Sequence, residues 1–267
     1  MRLAIEVKTG RQVALKIVRT ESEMGLANDG VTYKDVLNAM KLEVQYANAL
    51  GNHPNIVHIL GVAEGGKVFV MEKAVADLHS WIKRNPKIRL GLAKHWSRGI
   101  LSACRYMHDV GIMHLDVKAS NVLIFADQTA KLCDFGLACR GRDSKVVNRE
   151  LMTLWYRAPE LLMGAMTFSP IVDEWGVGCV MLEMIIGCAP FQGNTECRCA
   201  CDEITHCNFN SDQLMRIFHV LGTPEDAAFL SRMTCSRHFS KWSVFPPNLQ
   251  QMVTPCATSL FLSKCVR

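Results

Sequence analysis

No stretch of this sequence is apolar for long enough to cross a bilayer. The longest apolar runs, such as Trp175 to Leu182, fall far short of the roughly 20 residues a spanning helix needs. Met1 does not open a charged segment followed by an apolar core, so no secretory signal is expected. Charge of one sign is scarce as well. The 30 Lys and Arg residues against 25 Asp and Glu leave a net charge of +5. No Lys/Arg block stands out, which argues against a nucleic-acid partner and against a membrane-surface patch. No internal repeat is found.

What is present is a chain of 267 residues with 49% hydrophobic content, enough for one large domain or two small lobes with a sizeable core. Its 12 cysteines lie mostly in apolar segments, as Cys104, Cys133 and Cys179 do. They read as reduced, buried small residues of a cytoplasmic or nuclear protein rather than as a disulfide framework. Residues 3–19 alternate around Thr9-Gly10 and predict a hairpin. Val36, Met40, Val44 and Ala47 recur at helical spacing and predict a helix over 32–50, broken by Gly51-Asn52-His53-Pro54-Asn55. Short strands are expected at Ile56 to Leu60 and Lys67 to Met71. From Asp77 onward the pattern is helical, over 77–84, 91–110, 171–187 and 211–221. Strands first and helices afterwards predict an α+β protein of two lobes divided near Glu72 to Ala76.

The densest chemistry lies in His114-Leu115-Asp116-Val117-Lys118-Ala119-Ser120-Asn121, followed by Asp134-Phe135-Gly136. An acid, a lysine, an amide and a second acid stand in the order that metal-assisted phosphoryl transfer uses. Asp116 suits accepting or orienting a hydroxyl proton, and Lys118 suits neutralising a transferring phosphate. Asn121 and Asp134 supply an amide and a carboxylate oxygen for a divalent cation, a donor set fitting Mg²⁺. Singly each residue is an ordinary loop side chain; the ordered set is much harder to reach by chance. Val13-Ala14-Leu15-Lys16 belongs to the second arm of the hairpin, where Ala14 and Lys16 share a face. Glu43 is the one acid in the apolar-periodic part of the next helix, and is the expected partner of Lys16.

VALK, the helix Glu43, HLDVKASN, DFG and Ala158-Pro159-Glu160 together resemble the signature set of eukaryotic protein kinases. Thr153 to Leu162, TLWYRAPELL, is similar to the cyclin-dependent kinase branch of the CMGC group, as are HPNIV at 53–57, Asp173 with Trp175 and Gly178, and Gly222-Thr223-Pro224. The resemblance runs from about residue 4 to about residue 245. It implies a two-lobed fold, with a partial N-lobe over 1–73 and a C-lobe over 74–267. It also implies ATP and Mg²⁺ as cofactors, a protein substrate, and serine/threonine specificity directed to proline. Lys16 would hold the α- and β-phosphates and Glu43 would position it. Ala14 would lie against the adenine. Met71 would be the gatekeeper, Glu72 and Ala74 would offer hinge backbone, and Leu123 would pack beneath the adenine. Asp116 would be the base, flanked by Lys118 and Thr153, with Asn121 and Asp134 on the metal.

Several positions depart from that pattern. Relatives grip an activation-segment phosphothreonine with three arginines. Here the threonine position holds Asn148 and the arginine positions hold Leu42, Leu115 and Cys139, so no phosphorylation switch is expected there. Ser144, near Arg140 and Arg142, is a disfavoured substitute. In the helix 32–50, Lys41 replaces a buried isoleucine of the cyclin-contacting motif. An activating protein on that helix is expected, and a cyclin is doubtful. Against the family pattern the sequence opens at the second strand, without the first strand and glycine-rich loop. It stops before the last helices and the arginine that pairs with Glu160. The expectation is a domain short at both ends, with a catalytically weak or inactive kinase-fold binding protein as the alternative function. Cys197 to Ser211, holding Cys197, Cys199, Cys201, His206 and Cys207, is expected as an inserted loop near 197–211. Its spacing does not match a zinc finger.

Overall fold

The computed structural model describes residues 1–18, 32–141, 150–165, 167, 169–199, 206–225, 230–231, 233–235 and 243–253. The alternating hairpin forms as expected, with β1 (Arg2–Ile5) antiparallel to β2 (Gln12–Ile17). Thr32 caps α1 (Tyr33–Leu50): its hydroxyl accepts from the Asp35 amide, while the Asp35 carboxylate accepts from the Thr32 amide. β3 (Ile59–Ala63) and β4 (Val68–Glu72) complete a four-stranded sheet in the order β1-β2-β4-β3. A small core of Val18, Met40, Val57, Phe69 and Met71 packs α1 on this sheet.

One strand begins later than its apolar run predicts. The run at Ile56 to Leu60 gives a strand only from Ile59, because Ile56 and Val57 are used elsewhere. Ile56 bridges Leu132, the Val57 amide donates to the Leu132 carbonyl, and Asn55 holds the Ala130 carbonyl through its side chain. An apolar run has no preference among partners that bury it equally, and this one ties the sheet to the second lobe.

Beyond Glu72 come β5 (Ala76–Asp77), α2 (Leu78–Arg84), α3 (Leu90–Asp109), β6 (Ile112–Met113), β7 (Val122–Ile124), β8 (Ala130–Leu132) and β9 (Cys139–Arg140). Then follow α4 (Pro159–Leu162), α5 (Ile171–Ile186) and α6 (Ser211–Leu221). Strands β5, β7 and β8 form one small sheet, and β6 with β9 another. The Asp77 carboxylate caps α2, accepting the Ser80 amide at 2.8 Å. The larger core surrounds α3 and α5, with Trp96, Ile100, Met107, Val177 and Val180 at most 1% exposed. Among the described residues no helix is long and apolar enough to cross a membrane.

Gly176 on α5 is demanded by this packing. A Cβ there would lie 2.8 Å from both the Val117 Cβ and the Val117 carbonyl oxygen, so only glycine lets the helix pass beneath the catalytic loop.

Candidate active site

Strand alternation puts Ala14 and Lys16 on the same face of β2, and the register sets Ala14 opposite Met71 on β4. The Lys16 ammonium lies 2.6 Å from the Glu43 carboxylate on α1 and 3.2 Å from Asp134. Burial by itself lowers the Lys16 pKa, but Asp134 and Glu43 outweigh it and hold the group above the usual lysine range. Burial acts on Asp134 in the opposite sense, and Lys16 again prevails, keeping its carboxyl below the usual range. Glu43 is only 3% exposed, and burial pushes its carboxyl upward despite Lys16.

These groups face a cleft of about 730 Å³ between the two lobes. Every residue expected at the nucleotide lies on its wall: Ala14, Lys16, Met71, Glu72, Ala74, Leu123 and Asp134, with Asn121 beside them. The Glu72 carboxylate accepts Lys131 at 2.7 and 2.8 Å and the His58 amide at 2.9 Å.

The catalytic loop is built around buried polar groups. Asp173 of α5, with no exposed surface, accepts the backbone amides of His114 and Leu115 at 2.8 Å each and meets His108 Nε2 at 2.8 Å. His114 accepts the Asp116 amide at Nδ1 and reaches the Cys133 carbonyl with Nε2, which selects the Nε2–H tautomer. Asn121 donates through Nδ2 to the Asp116 carbonyl at 2.9 Å and to Asp116 Oδ2 at 3.0 Å. That orientation leaves its amide oxygen as the group to offer a cation. With the ionised Asp134 it makes a pair of hard oxygen donors, which fits Mg²⁺. Among the described residues no group of three or more His, Cys, Asp or Glu is arranged for a metal. Cys199 and His206 do meet, Sγ to Nδ1 at 3.3 Å. Cys201 lies outside the described residues.

Asp116 lies instead on the wall of a neighbouring depression of about 750 Å³, shared with Lys118, Thr153, Trp155 and Gly193. Lys118 Nζ sits 2.8 Å from Asp116 Oδ2 and donates to Thr153 Oγ1 at 2.7 Å, and the Thr153 hydroxyl donates to Asp116 Oδ1 at 3.0 Å. Asn121 on the wall of the first depression donates to Asp116 on the wall of the second, which links the two. Three non-glycine residues around it hold left-handed backbone: Leu115 (φ 61°), Asp134 (φ 68°) and Met152 (φ 57°). Such strain gathers where the surrounding structure fixes a functional geometry.

Of the altered arginine positions, Leu115 has no exposed surface, Cys139 is 6% exposed on β9, and Leu42 is half-buried on α1. Asn148, Arg142 and Ser144 lie outside the described residues. Sequence reasoning noted Asp173 only as a family match and missed its grip on the loop. The i, i+3 spacing of Asp173 and Gly176 on one helix was the available signal. Sequence reasoning carried Arg157 only within the TLWYRAPELL match; that side chain is 2% exposed, and its guanidinium reaches the Leu151 and Met152 carbonyls and Glu150.

The two-lobed fold and the cleft with Lys16, Glu43, Asp116, Asn121 and Asp134 are those of a protein kinase. The chain belongs to that family: the protein kinase domain profile matches residues 1–258. It is similar to the cell division control protein 2 homolog 1 of Trypanosoma brucei brucei, with 33% identity over 226 residues, covering 83% of this chain and 67% of the relative. Its structure is similar to a chain of the yeast RNA polymerase II CTD kinase CTDK-1 complex, with a TM-score of 0.71 and 27% identity, covering 97% of this chain and 81% of the other. It is a serine/threonine protein kinase of the cyclin-dependent kinase-like branch.

Proposed function

We propose that the chain transfers the γ-phosphoryl group of Mg-ATP to serine or threonine hydroxyls of protein substrates that carry proline at the next position. The observation that carries this reading is the link between two depressions: Asn121, in the one that holds the Lys16–Glu43 pair and Asp134, donates to Asp116 in the other. Ala14, Met71 and Leu123 enclose the adenine, and the backbone at Glu72 and Ala74 hydrogen-bonds it. Lys16 holds the α- and β-phosphates, with Glu43 fixing its ammonium. Asn121 and Asp134 hold Mg²⁺, which when bound neutralises charge on the phosphates. Asp116 orients the attacking hydroxyl and receives its proton as the oxygen bonds to phosphorus and the bond to ADP breaks. Lys118 and Thr153 keep the Asp116 carboxylate in place for that step.

The preference for proline follows from Met152. Its left-handed backbone turns the carbonyl to Arg157 Nη2 at 3.1 Å. A substrate amide after the phosphoacceptor finds that acceptor already taken, whereas proline has no N–H to leave unpaired. We assign α1 as the surface for an activating protein. Its exposed Lys41 disfavours a cyclin seat, which would bury the ammonium. The unpaired thiols of Cys104, Cys133 and Cys179 support a reducing compartment, cytoplasm or nucleus.

The test is phosphate transfer from labelled Mg-ATP to a basic Ser-Pro peptide, comparing the wild type with Asp116→Asn. The substitution is expected to cost about 10²–10⁴-fold in rate, the usual contribution of a positioned acid–base group. A folded wild type no faster than Asp116→Asn overturns phosphoryl transfer and leaves a kinase-fold binding protein.

A further inference from the structure

The segment that carries Thr153 is held from a place the catalytic chemistry does not touch. Leu151 has no exposed surface, and its amide donates to Asn208 Oδ1 at 2.7 Å. Arg157 Nε donates to the Leu151 carbonyl at 2.8 Å, Nη2 to Met152 and Glu150, and Nη1 to the Asn208 carbonyl at 3.1 Å. Asn208, 1% exposed, thus accepts both a peptide N–H of the activation segment and the buried guanidinium that shapes it. Removing its side chain leaves the Leu151 amide buried without that acceptor.

Asn208 belongs to the cysteine-rich stretch that the sequence marks as an insertion, and it stands just before α6. That neighbourhood is firm. Asn210 caps α6 through Oδ1 to the Gln213 amide at 2.8 Å, the Ser211 amide donates to the Cys197 carbonyl at 3.1 Å, and Arg198 pairs with Asn210 in an isolated bridge. Arg198 also reaches Glu150 at 3.5 Å, from the same insertion to the same segment. Leu115 and Cys139, at two of the altered arginine positions, are buried and carry no cationic side chain.

We infer that Asn208 is a positioning residue through which the insertion holds residues 150–157 in the substrate-accepting form, its side-chain oxygen accepting the Leu151 amide and its carbonyl the Arg157 guanidinium. The brace needs no added charge, so the segment is ordered without a modification. It also keeps Arg157 on the Met152 carbonyl, and this consequence rests on the proline-directed reading proposed above. Asn208 acts only through Leu151 and Arg157.

The experiment measures amide hydrogen exchange at Leu151 to Thr153, together with the ratio of kcat/KM for paired Ser-Pro and Ser-Ala peptides. Wild type, Asn208→Ala and Asn208→Asp are compared, the last keeping an acceptor oxygen. In the wild type the Leu151 amide is expected to exchange as slowly as core amides of α3. Asn208→Ala is expected to speed it and to lower the peptide ratio about tenfold, the effect of one buried hydrogen bond left unmade. Asn208→Asp is expected to retain both. A folded Asn208→Ala with wild-type exchange at Leu151 overturns the inference. Should Asn208→Ala fail to fold, the wild type decides: a fast-exchanging Leu151 amide overturns the inference, and a slow one supports it. A wild type that shows no Ser-Pro preference, or no transfer, removes the functional reading while the exchange measurement still judges Asn208.

Discussion

Placing an arginine at position 115 by Leu115→Arg restores the family residue and is expected to damage this protein. Leu115 has no exposed surface, its amide is held by Asp173 at 2.8 Å, and its side chain belongs to the main apolar core. Removing it from that core forfeits about 1.5–3 kcal/mol of burial. The incoming guanidinium enters an apolar core that also holds Cys139, and an uncompensated buried charge costs about 3–5 kcal/mol. The sum, roughly 4.5–8 kcal/mol, is comparable to the whole stability of a typical domain, about 5–15 kcal/mol. Urea denaturation followed by fluorescence measures it, with Leu115→Met as the volume-conserving control expected to cost less than about 1.5 kcal/mol. A Leu115→Arg protein within about 1 kcal/mol of the wild type, at unchanged denaturant slope, refutes the argument that this pocket has become apolar as a set.

Gly176→Ala pushes a methyl to 2.8 Å from Val117 and is expected to cost about 1–3 kcal/mol and to lower kcat by displacing the catalytic loop; an unchanged unfolding midpoint counts against the close approach. Glu160 is pushed above its ordinary value of 4.5 by burial. The folded state thus holds the Glu160 proton more tightly than the unfolded chain does. Its contribution is fully present below about 4.5 and is lost as pH rises through the folded-state value. Glu160→Gln should therefore raise the melting temperature at pH 7 and have little effect at pH 4, and equal shifts at both pH values refute the assignment.

Much of the site was readable because its parts are local. Asp116, Lys118 and Asn121 stand within six residues, and the hydrogen bonds from Asn121 to Asp116 need only the short turn between them. The Lys16–Glu43 pair was readable for another reason, since strand alternation and helical periodicity each present one face. Less legible were contacts between segments far apart in the chain. Nothing in Ile56 to Leu60 says that its first two residues will join β8, because apolar burial carries no address. Likewise nothing near Glu72 in the sequence says that Lys131, 59 residues away, will hold its carboxylate.

By itself the sequence indicated the kinase family, the order of its signature residues and the loss of arginine at positions 42, 115 and 139, since residue identity and spacing carry that information. Only the tertiary structure decided that Asp173 suspends the catalytic loop from α5, that Met152 gives its carbonyl to Arg157, and that Asn208 closes the brace from 51 residues beyond Arg157. Buried amides and a buried guanidinium must find acceptors wherever the folded chain brings them, and which acceptors those are depends on three-dimensional proximity that no local pattern encodes.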